Sequence, residues 1–375
     1  MHDHLPVTRQ LKKRDQNMSK PILFSTLSYC ALRDKMLACG DFERGVLIRN
    51  VTGKGNLEDD VPFTDGERYL RLGTDVDDRE CIVVGGTIDD REMMDMFDIG
   101  CALFDWGALR IKFVIPFLGY STMERAVKPG EAVKAKNRTR ILDRIPQAPM
   151  GNRFYFLDLH APGEQYYLEN RQAYHIYAKT IVTDAAKALA KDEFVIASSA
   201  LPVIDATASG EGTVSTADGT VSVQGAGPNG ETFILASTDA GRMKWIESLA
   251  KDLGVLPAFA YKHRDGDKTE SLGISGPVAG KFVIIYDDMI RTGGSLINAA
   301  LAYKAAGARH IAVISTHGIL PGEALAKLQK SGLFTKIVVT DSLPRPEALL
   351  AEFSDFLQVE TVAPLLVSNI QKKVA

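Results

Sequence analysis

The chain has 375 residues, of which 45% are hydrophobic and 24% charged, with a formal net charge of −3. This length suggests two domains with sizeable cores, and the near-neutral balance excludes a global basic field for nucleic acid or an anionic membrane. No apolar run is long enough to span a bilayer.

Residues 1–20 are polar and lack the apolar centre of a secretory signal. They read as a disordered extension, with Met18 an alternative start. The scattered Cys30, Cys39, Cys81 and Cys101 show no metal-ligand spacing and read as reduced thiols of a cytoplasmic protein. The sequons at Asn50 and Asn137 are then chance matches. Strand-length apolar runs are predicted at 45–49, 81–85, 111–116 and 153–157, and again at 232–236, 258–261, 281–286, 310–315 and 336–340. Helical patterns intervene, as at 92–109, 241–253 and 295–306. Such alternation argues for two α/β domains, each with a mainly parallel sheet flanked by helices. The domains are expected at 21–168 and 169–375, with an insertion at about 201–230. That insertion is rich in Gly, Ala, Ser and Thr and contains a hairpin pattern around Ala217-Asp218-Gly219. Its Gly225-Ala-Gly-Pro-Asn-Gly230 matches a dinucleotide fingerprint but contains Pro and precedes a strand, so that reading fails.

Five segments carry chemistry. The first is Phe63-Thr64-Asp65-Gly66-Glu67, an aromatic on a polar loop. The second, Asp158-Leu159-His160-Ala161, ends a strand, so His160 projects where a ligand sits. Ser237-Thr238-Asp239-Ala240-Gly241-Arg242-Met243-Lys244 follows a strand and opens a helix; an N-cap role accounts for Asp239 but not for Gly241 or Lys244. In Lys262-His263-Arg264, two cations one residue apart on an extended strand face the same side, which suits charge on a moving phosphate.

The fifth and most informative segment is the run 282–296. Its apolar residues end in Asp287 and Asp288, then the loop Arg291-Thr292-Gly293-Gly294-Ser295, then a helical pattern. A strand thus delivers two carboxylates to the C-terminal edge of a parallel sheet, where ligands of open α/β folds bind. Adjacent carboxylates can each accept a hydrogen bond from a neighbouring sugar hydroxyl. The loop can hold a phosphate with backbone N–H groups, two hydroxyls and the helix N-terminus.

Together these segments resemble the ribose-phosphate pyrophosphokinases, which make phosphoribosyl pyrophosphate (PRPP). The resemblance covers roughly residues 21–366. It implies two tandem type I phosphoribosyltransferase-like domains, Mg²⁺ with ATP as co-substrate, and transfer of the ATP β,γ-diphosphoryl group to the C1 hydroxyl of ribose 5-phosphate. It also implies a homo-oligomer whose ATP site is shared between subunits. By that resemblance Phe63 stacks on adenine from another subunit, with Asp65 and Glu67 reading its edge. His160 and Asp239 place Mg-ATP, and residues 239–244 form a pyrophosphate loop that includes Arg242 and Lys244. Lys262 and Arg264 act on the transferring group, Asp287 and Asp288 hold the ribose, and Arg291 to Ser295 hold its phosphate. Thr316-His317-Gly318 supports that edge.

The chain departs from the family pattern in places. Arg291 stands where the loop usually has a third acid, Arg242 where many members have Gly, and Thr122 where an Arg holds ATP, leaving Arg125 to compensate. Glu124-Arg125 and the run 140–146 are similar to the plant-type class II branch. The added positive charge also allows ADP-ribose as acceptor. Two further readings are a non-catalytic associated subunit and a PRPP-consuming phosphoribosyltransferase. The first sits poorly with the surviving motif residues, and the second gives no reason for the segments at 63–67 and 158–161.

Overall fold

The computed structural model describes residues 19–169, 171–199, 213–216, 219–222, 233–238, 240–265 and 268–372. The extension at 1–18, most of the insertion and the 225–230 fingerprint lie outside them. By packing the chain divides into two units. One runs to Tyr177 and takes back residues 342–344 and the C-terminal segment from Thr361; the other comprises Ala178–Asp341 and Arg345–Glu360.

The first unit is built on a six-stranded sheet in the order β2-β1-β5-β6-β7-β8. Its strands are β1 (Ile22–Ser25), β2 (Glu43–Arg44), β5 (Glu80–Val84), β6 (Arg110–Ile115), β7 (Asn152–Leu157) and β8 (Gln172–Ile176), and every pairing is parallel. The strand expected at 45–49 is instead split at Gly45 into β2 and β3 (Leu47–Ile48), and β3 leaves the sheet to pair antiparallel with β4 (Arg71–Leu72). The expected boundary at 168–169 precedes β8, the last strand of this sheet. Three helices follow: α1 (Cys30–Cys39), α2 (Asp90–Asp105) and α3 (Lys134–Asp143). Asp89 caps α2 by accepting a hydrogen bond from the Glu92 N–H, satisfying one of the orphan donors of the first turn. Met93, Met96, Ile99 and Leu103 of α2 pack with Val83, Phe113 and Phe154 of the sheet in one core.

The second unit carries a seven-stranded sheet in the order β13-β12-β11-β14-β15-β16-β17. These are β11 (Phe233–Ser237), β12 (Leu256–Asp265), β13 (Lys268–Ser275), β14 (Phe282–Ile290), β15 (His310–Gly318), β16 (Ile337–Thr340) and β17 (Leu357–Glu360). Only β13, at the edge, is antiparallel to its neighbour. Helix α4 (Lys179–Ser199) precedes the hairpin β9 (Thr213–Thr216) and β10 (Gly219–Ser222), which forms within the insertion as expected, although Ala217 and Asp218 themselves lie outside the described residues. Helices α5 (Met243–Leu253), α6 (Gly294–Ala305), α7 (Ala324–Lys330) and α8 (Glu347–Glu352) complete the unit. Period-2 alternation along β14 serves two covered faces: Val283 and Ile285 join the core with Leu296, Ala299 and Leu328 of α6 and α7, while Phe282, Ile284 and Tyr286 are equally buried.

The C-terminal helix α9 (Ala363–Gln371) packs on α1 in the first unit. Its last turn is held there by Lys112, whose Nζ donates to the Ile370 carbonyl at 2.9 Å and to Glu80 Oε1 at 2.7 Å. A buried lysine needs such partners, because an unpaired charge in a core is costly.

Candidate active site

In the second unit the parallel strands end at one rim, and the sequence of their ends defines the site. The last β11–β14 pair is Ser237 with Tyr286. Asp287 therefore stands one residue past the end of β11, although β14 itself continues along β15 as far as Ile290 opposite Gly318. The strand expected to stop at residue 286 is longer because β15 also runs on, through Thr316 and His317 to Gly318. Pairing on one side and a free edge on the other leave both carboxylates at the rim while keeping their backbone rigid.

The acidic pair is held by one local contact and two from the segment after β11. Thr238 Oγ1 donates to Asp287 Oδ2 at 3.1 Å, and the Asp288 N–H donates to Asp287 Oδ1 at 3.0 Å. Arg242 bridges the two acids, with Nη2 2.6 Å from Asp288 Oδ2 and Nε 3.7 Å from Asp287 Oδ1. Burial, reinforced by the Asp288 carboxylate, pushes Asp287 up to about 7, while Arg242 and the Thr238 hydroxyl pull against that rise. Behind the pair, the buried Tyr286 hydroxyl lies 3.3 Å from Thr316 Oγ1, and Thr340 Oγ1 donates to the Thr316 carbonyl at 2.6 Å. The expected supporting role of the 316–318 segment takes this form: a buried strand end braced from β16.

After β14 the chain turns through Arg291 and Thr292, both exposed, into α6. Gly293 is the N-cap, at φ +76°. A Cβ at this position would meet Leu328 Cδ2 at 2.7 Å, so both the left-handed backbone and the close packing require glycine. Gly294 is half-buried and Ser295 exposed, so Thr292 and Ser295 hydroxyls flank the first turn of α6, whose N–H groups lack intrahelical acceptors.

Of the segment 239–244, Asp239 lies outside the described residues. Ala240, Gly241 and Arg242 form one 3₁₀ turn leading into α5, where Lys244 is exposed. Lys262 and Arg264 lie on β12 beyond a bulge at Tyr261–Lys262, paired with Ser271 and Thr269 of β13. Their side chains are not among those described. The last β11–β12 pair is Ser237 with Phe259, so at the usual rise per residue Lys262 stands about 10 Å beyond the end of β11. The pairing of β12 with β13 runs on to Asp265 opposite Lys268.

The first unit presents three of the expected groups, each placed by its own loop. His160 and Arg125 follow β7 and β6, so both belong to loops at the C-terminal rim of that sheet. Asp158, buried with φ +38°, makes the turn that leads to the half-buried His160. The Leu159 N–H donates to His175 Nε2 on β8 at 2.9 Å. Arg125 is exposed and lies 3.3 Å from Glu124 Oε1. The 63–67 loop sits between β3 and β4 and closes on itself: the Phe63 N–H donates to the Glu67 carbonyl at 2.8 Å and the Gly66 N–H to the Phe63 carbonyl at 2.9 Å. Asp65 Oδ1 accepts the Glu67 N–H at 3.0 Å. Phe63 is left 45% exposed, an aromatic offered to solvent by a closed turn. At the root of the loop Asp60 pairs with Arg68 and with Arg91 of α2. His175 and Asp60 lie outside the five segments, and Thr238 sat in the third without a role of its own, because the contacts with Leu159, Arg91 and Asp287 join residues far apart in the chain.

Among the described residues no group of three or more His, Cys, Asp or Glu side chains could hold a metal by itself. The half-buried His160 could supply one ligand to an ion such as Mg²⁺ that keeps waters and takes only one or two protein ligands. No described helix is long and apolar enough to cross a membrane.

Comparison with known proteins places these features in a family. Residues 59–145 match the family model described as the N-terminal domain of ribose phosphate pyrophosphokinase, and residues 243–367 match that of the phosphoribosyl synthetase-associated domain. The ribose-phosphate pyrophosphokinase of Rhodopirellula baltica is 29% identical over 83% of this chain and 85% of its own length. That of Chlorobaculum tepidum is 28% identical over 82% and 80%. The crystal structure of phosphoribosylpyrophosphate synthetase from Mycobacterium smegmatis shares the fold, with a TM-score of 0.71 and 22% identity over 94% of this chain and 98% of that one. The chain belongs to the ribose-phosphate pyrophosphokinase family.

Proposed function

We propose that this protein transfers the β,γ-diphosphoryl group of ATP to the C1 hydroxyl of ribose 5-phosphate. The C1 oxygen bonds to the β-phosphorus, the bond from that phosphorus to the α,β-bridging oxygen breaks, AMP leaves with the electron pair, and the hydroxyl proton is released. The observation that carries the reading is the acidic pair at the rim of β14 beside the Gly293 helix start: acceptors for vicinal sugar hydroxyls next to a cradle for the sugar phosphate.

Asp287 and Asp288 orient the ribose, and Arg291 to Ser295 bind its phosphate. Lys262 and Arg264 approach from β12 to stabilise the moving charge, and residues 239–244 face the diphosphate. Phe63, Asp65 and Glu67 serve a neighbouring subunit's adenine in a cytoplasmic homo-oligomer, and Arg125 holds ATP in its own. His160 and Asp239 would hold Mg²⁺, which when bound neutralises phosphate charge. Positioning and electrostatics carry the rate. Glu124-Arg125, the 140–146 run and Arg291 support a place near the plant-type class II branch. The test is release of AMP from Mg-ATP by purified protein with ribose 5-phosphate; no release with this acceptor sinks the reading.

A second reading keeps the chemistry with ADP-ribose as acceptor. Its support is Arg291, exposed at the phosphate loop where a second phosphate of the acceptor would lie. Both acceptors assayed side by side separate the two.

A further inference from the structure

The contact that organises the rim lies where the proposed substrate would bind. Arg242 directs donors at Asp288 Oδ2 and Asp287 Oδ1, while Asp287 Oδ2 is already engaged by Thr238 and Oδ1 also accepts the Asp288 N–H. A pair of sugar hydroxyls approaching these two acids would therefore meet the guanidinium, which hydrogen-bonds Asp288 and lies beside Asp287. The geometry is also that of a mimic: a planar fork with two donors spread over two adjacent carboxylates presents what neighbouring hydroxyls present.

Two further features make the contact exchangeable. Arg242 and Asp287 keep 23% and 20% of their side chains exposed, so a ligand has access, whereas Asp288 keeps only 4% and depends on a partner. Arg242 sits at the junction of the 3₁₀ turn and α5, on a long side chain with several rotatable bonds.

We propose that Arg242 is a resident stand-in for the sugar. It fills the diol subsite in the empty protein, bridges and spaces the two acids, and is displaced when ribose binds. This rests on the ribose-phosphate reading of the site. Ribose affinity is then set by competition: the apparent dissociation constant is the intrinsic one divided by the fraction of protein with Arg242 withdrawn. Arg242 is thus a specificity-determining residue, because a ligand that cannot supply replacement donors to both acids leaves it in place.

The test is equilibrium binding of ribose 5-phosphate without ATP, by calorimetry, to the full chain and to Arg242→Ala and Arg242→Lys. Measurement at pH 8.5 keeps Asp287 ionised, above its value of about 7. Arg242→Ala is expected to bind roughly tenfold tighter, the scale of one charge-assisted contact no longer displaced. Arg242→Lys, a point donor that cannot span both acids, should fall between. KM for ribose 5-phosphate should drop in the same order. Should Arg242→Ala fail to fold by circular dichroism, Arg242→Lys and Arg242→Gln carry the comparison. Equal or weaker binding by the folded variants overturns the idea. Tighter binding without AMP release in any variant upholds displacement and sinks the diphosphotransfer. AMP release with unchanged affinity does the reverse, and no binding of ribose 5-phosphate by any form removes both.

Discussion

The Leu159 N–H, two residues past the end of β7, is satisfied by His175 Nε2 on β8 at 2.9 Å. Leu159 is buried and follows Asp158 at φ +38°, so this imidazole completes a turn that the backbone alone does not favour.

His175→Phe should leave a buried donor without an acceptor, costing about 1–3 kcal/mol of stability. It should also loosen the loop that carries His160, raising KM for ATP more than it lowers kcat. His175→Asn, which can offer an oxygen, should recover most of both. Hydrogen exchange at the Leu159 amide checks the mechanism directly: unchanged protection in His175→Phe would show that the bond does not hold the turn.

Asp287 gives the protein a calculable dependence on pH. Its folded value of about 7 lies above the ordinary carboxylate value, so through the interval between them the folded chain holds a proton that the unfolded chain has lost. Its contribution to stability is therefore full below about pH 4, falls as pH rises towards 7, and is level above that. Asp287→Asn removes the titration. Its melting temperature relative to wild type should rise between pH 5 and pH 8, on the order of a few °C. A difference that stays flat across that range would contradict the assignment.

Gly293→Ala tests the phosphate cradle. The substitution places a methyl within 2.7 Å of Leu328 Cδ2 and forces an L-residue to φ +76°. Strain of about 1–3 kcal/mol follows, or a displaced loop. Binding of inorganic phosphate or ribose 5-phosphate should weaken at least about tenfold, the scale of one misplaced contact. Denaturant titration beside the binding isotherm separates lost stability from lost affinity; full retention of both would remove Gly293 from the site.

Lys262→Ala should lower kcat roughly 10²–10³-fold, about the effect of losing one preorganised donor. Ribose 5-phosphate affinity should change little, because Lys262 lies well past the rim residues that would hold the sugar. Single-turnover AMP formation checks this, and an unchanged rate would exclude Lys262 from the transfer step.

Contiguous features were legible in the sequence. The apolar run before Asp287 and Asp288, the glycines after them and the helical period that follows are encoded within fifteen neighbouring residues. Local sterics and strand period alone place them on a strand followed by a helix start, although the strand runs on past both acids to Ile290. The alternation of strands and helices likewise sufficed for two parallel-sheet units. Short strands were missed: β1 has four residues, and β8 and β17 lack strong apolar patterns, so only pairing with a neighbour makes them strands.

What tertiary structure alone decided are the contacts whose partners lie far apart in the chain: Arg242 across Asp287 and Asp288, Thr238 on Asp287, His175 on Leu159, and α9 returning to the first unit. Sequence spacing carries no information about which side chain will meet which across a sheet rim. That depends on where each strand stops relative to its neighbours, and stopping points are set by cooperative pairing of the whole sheet.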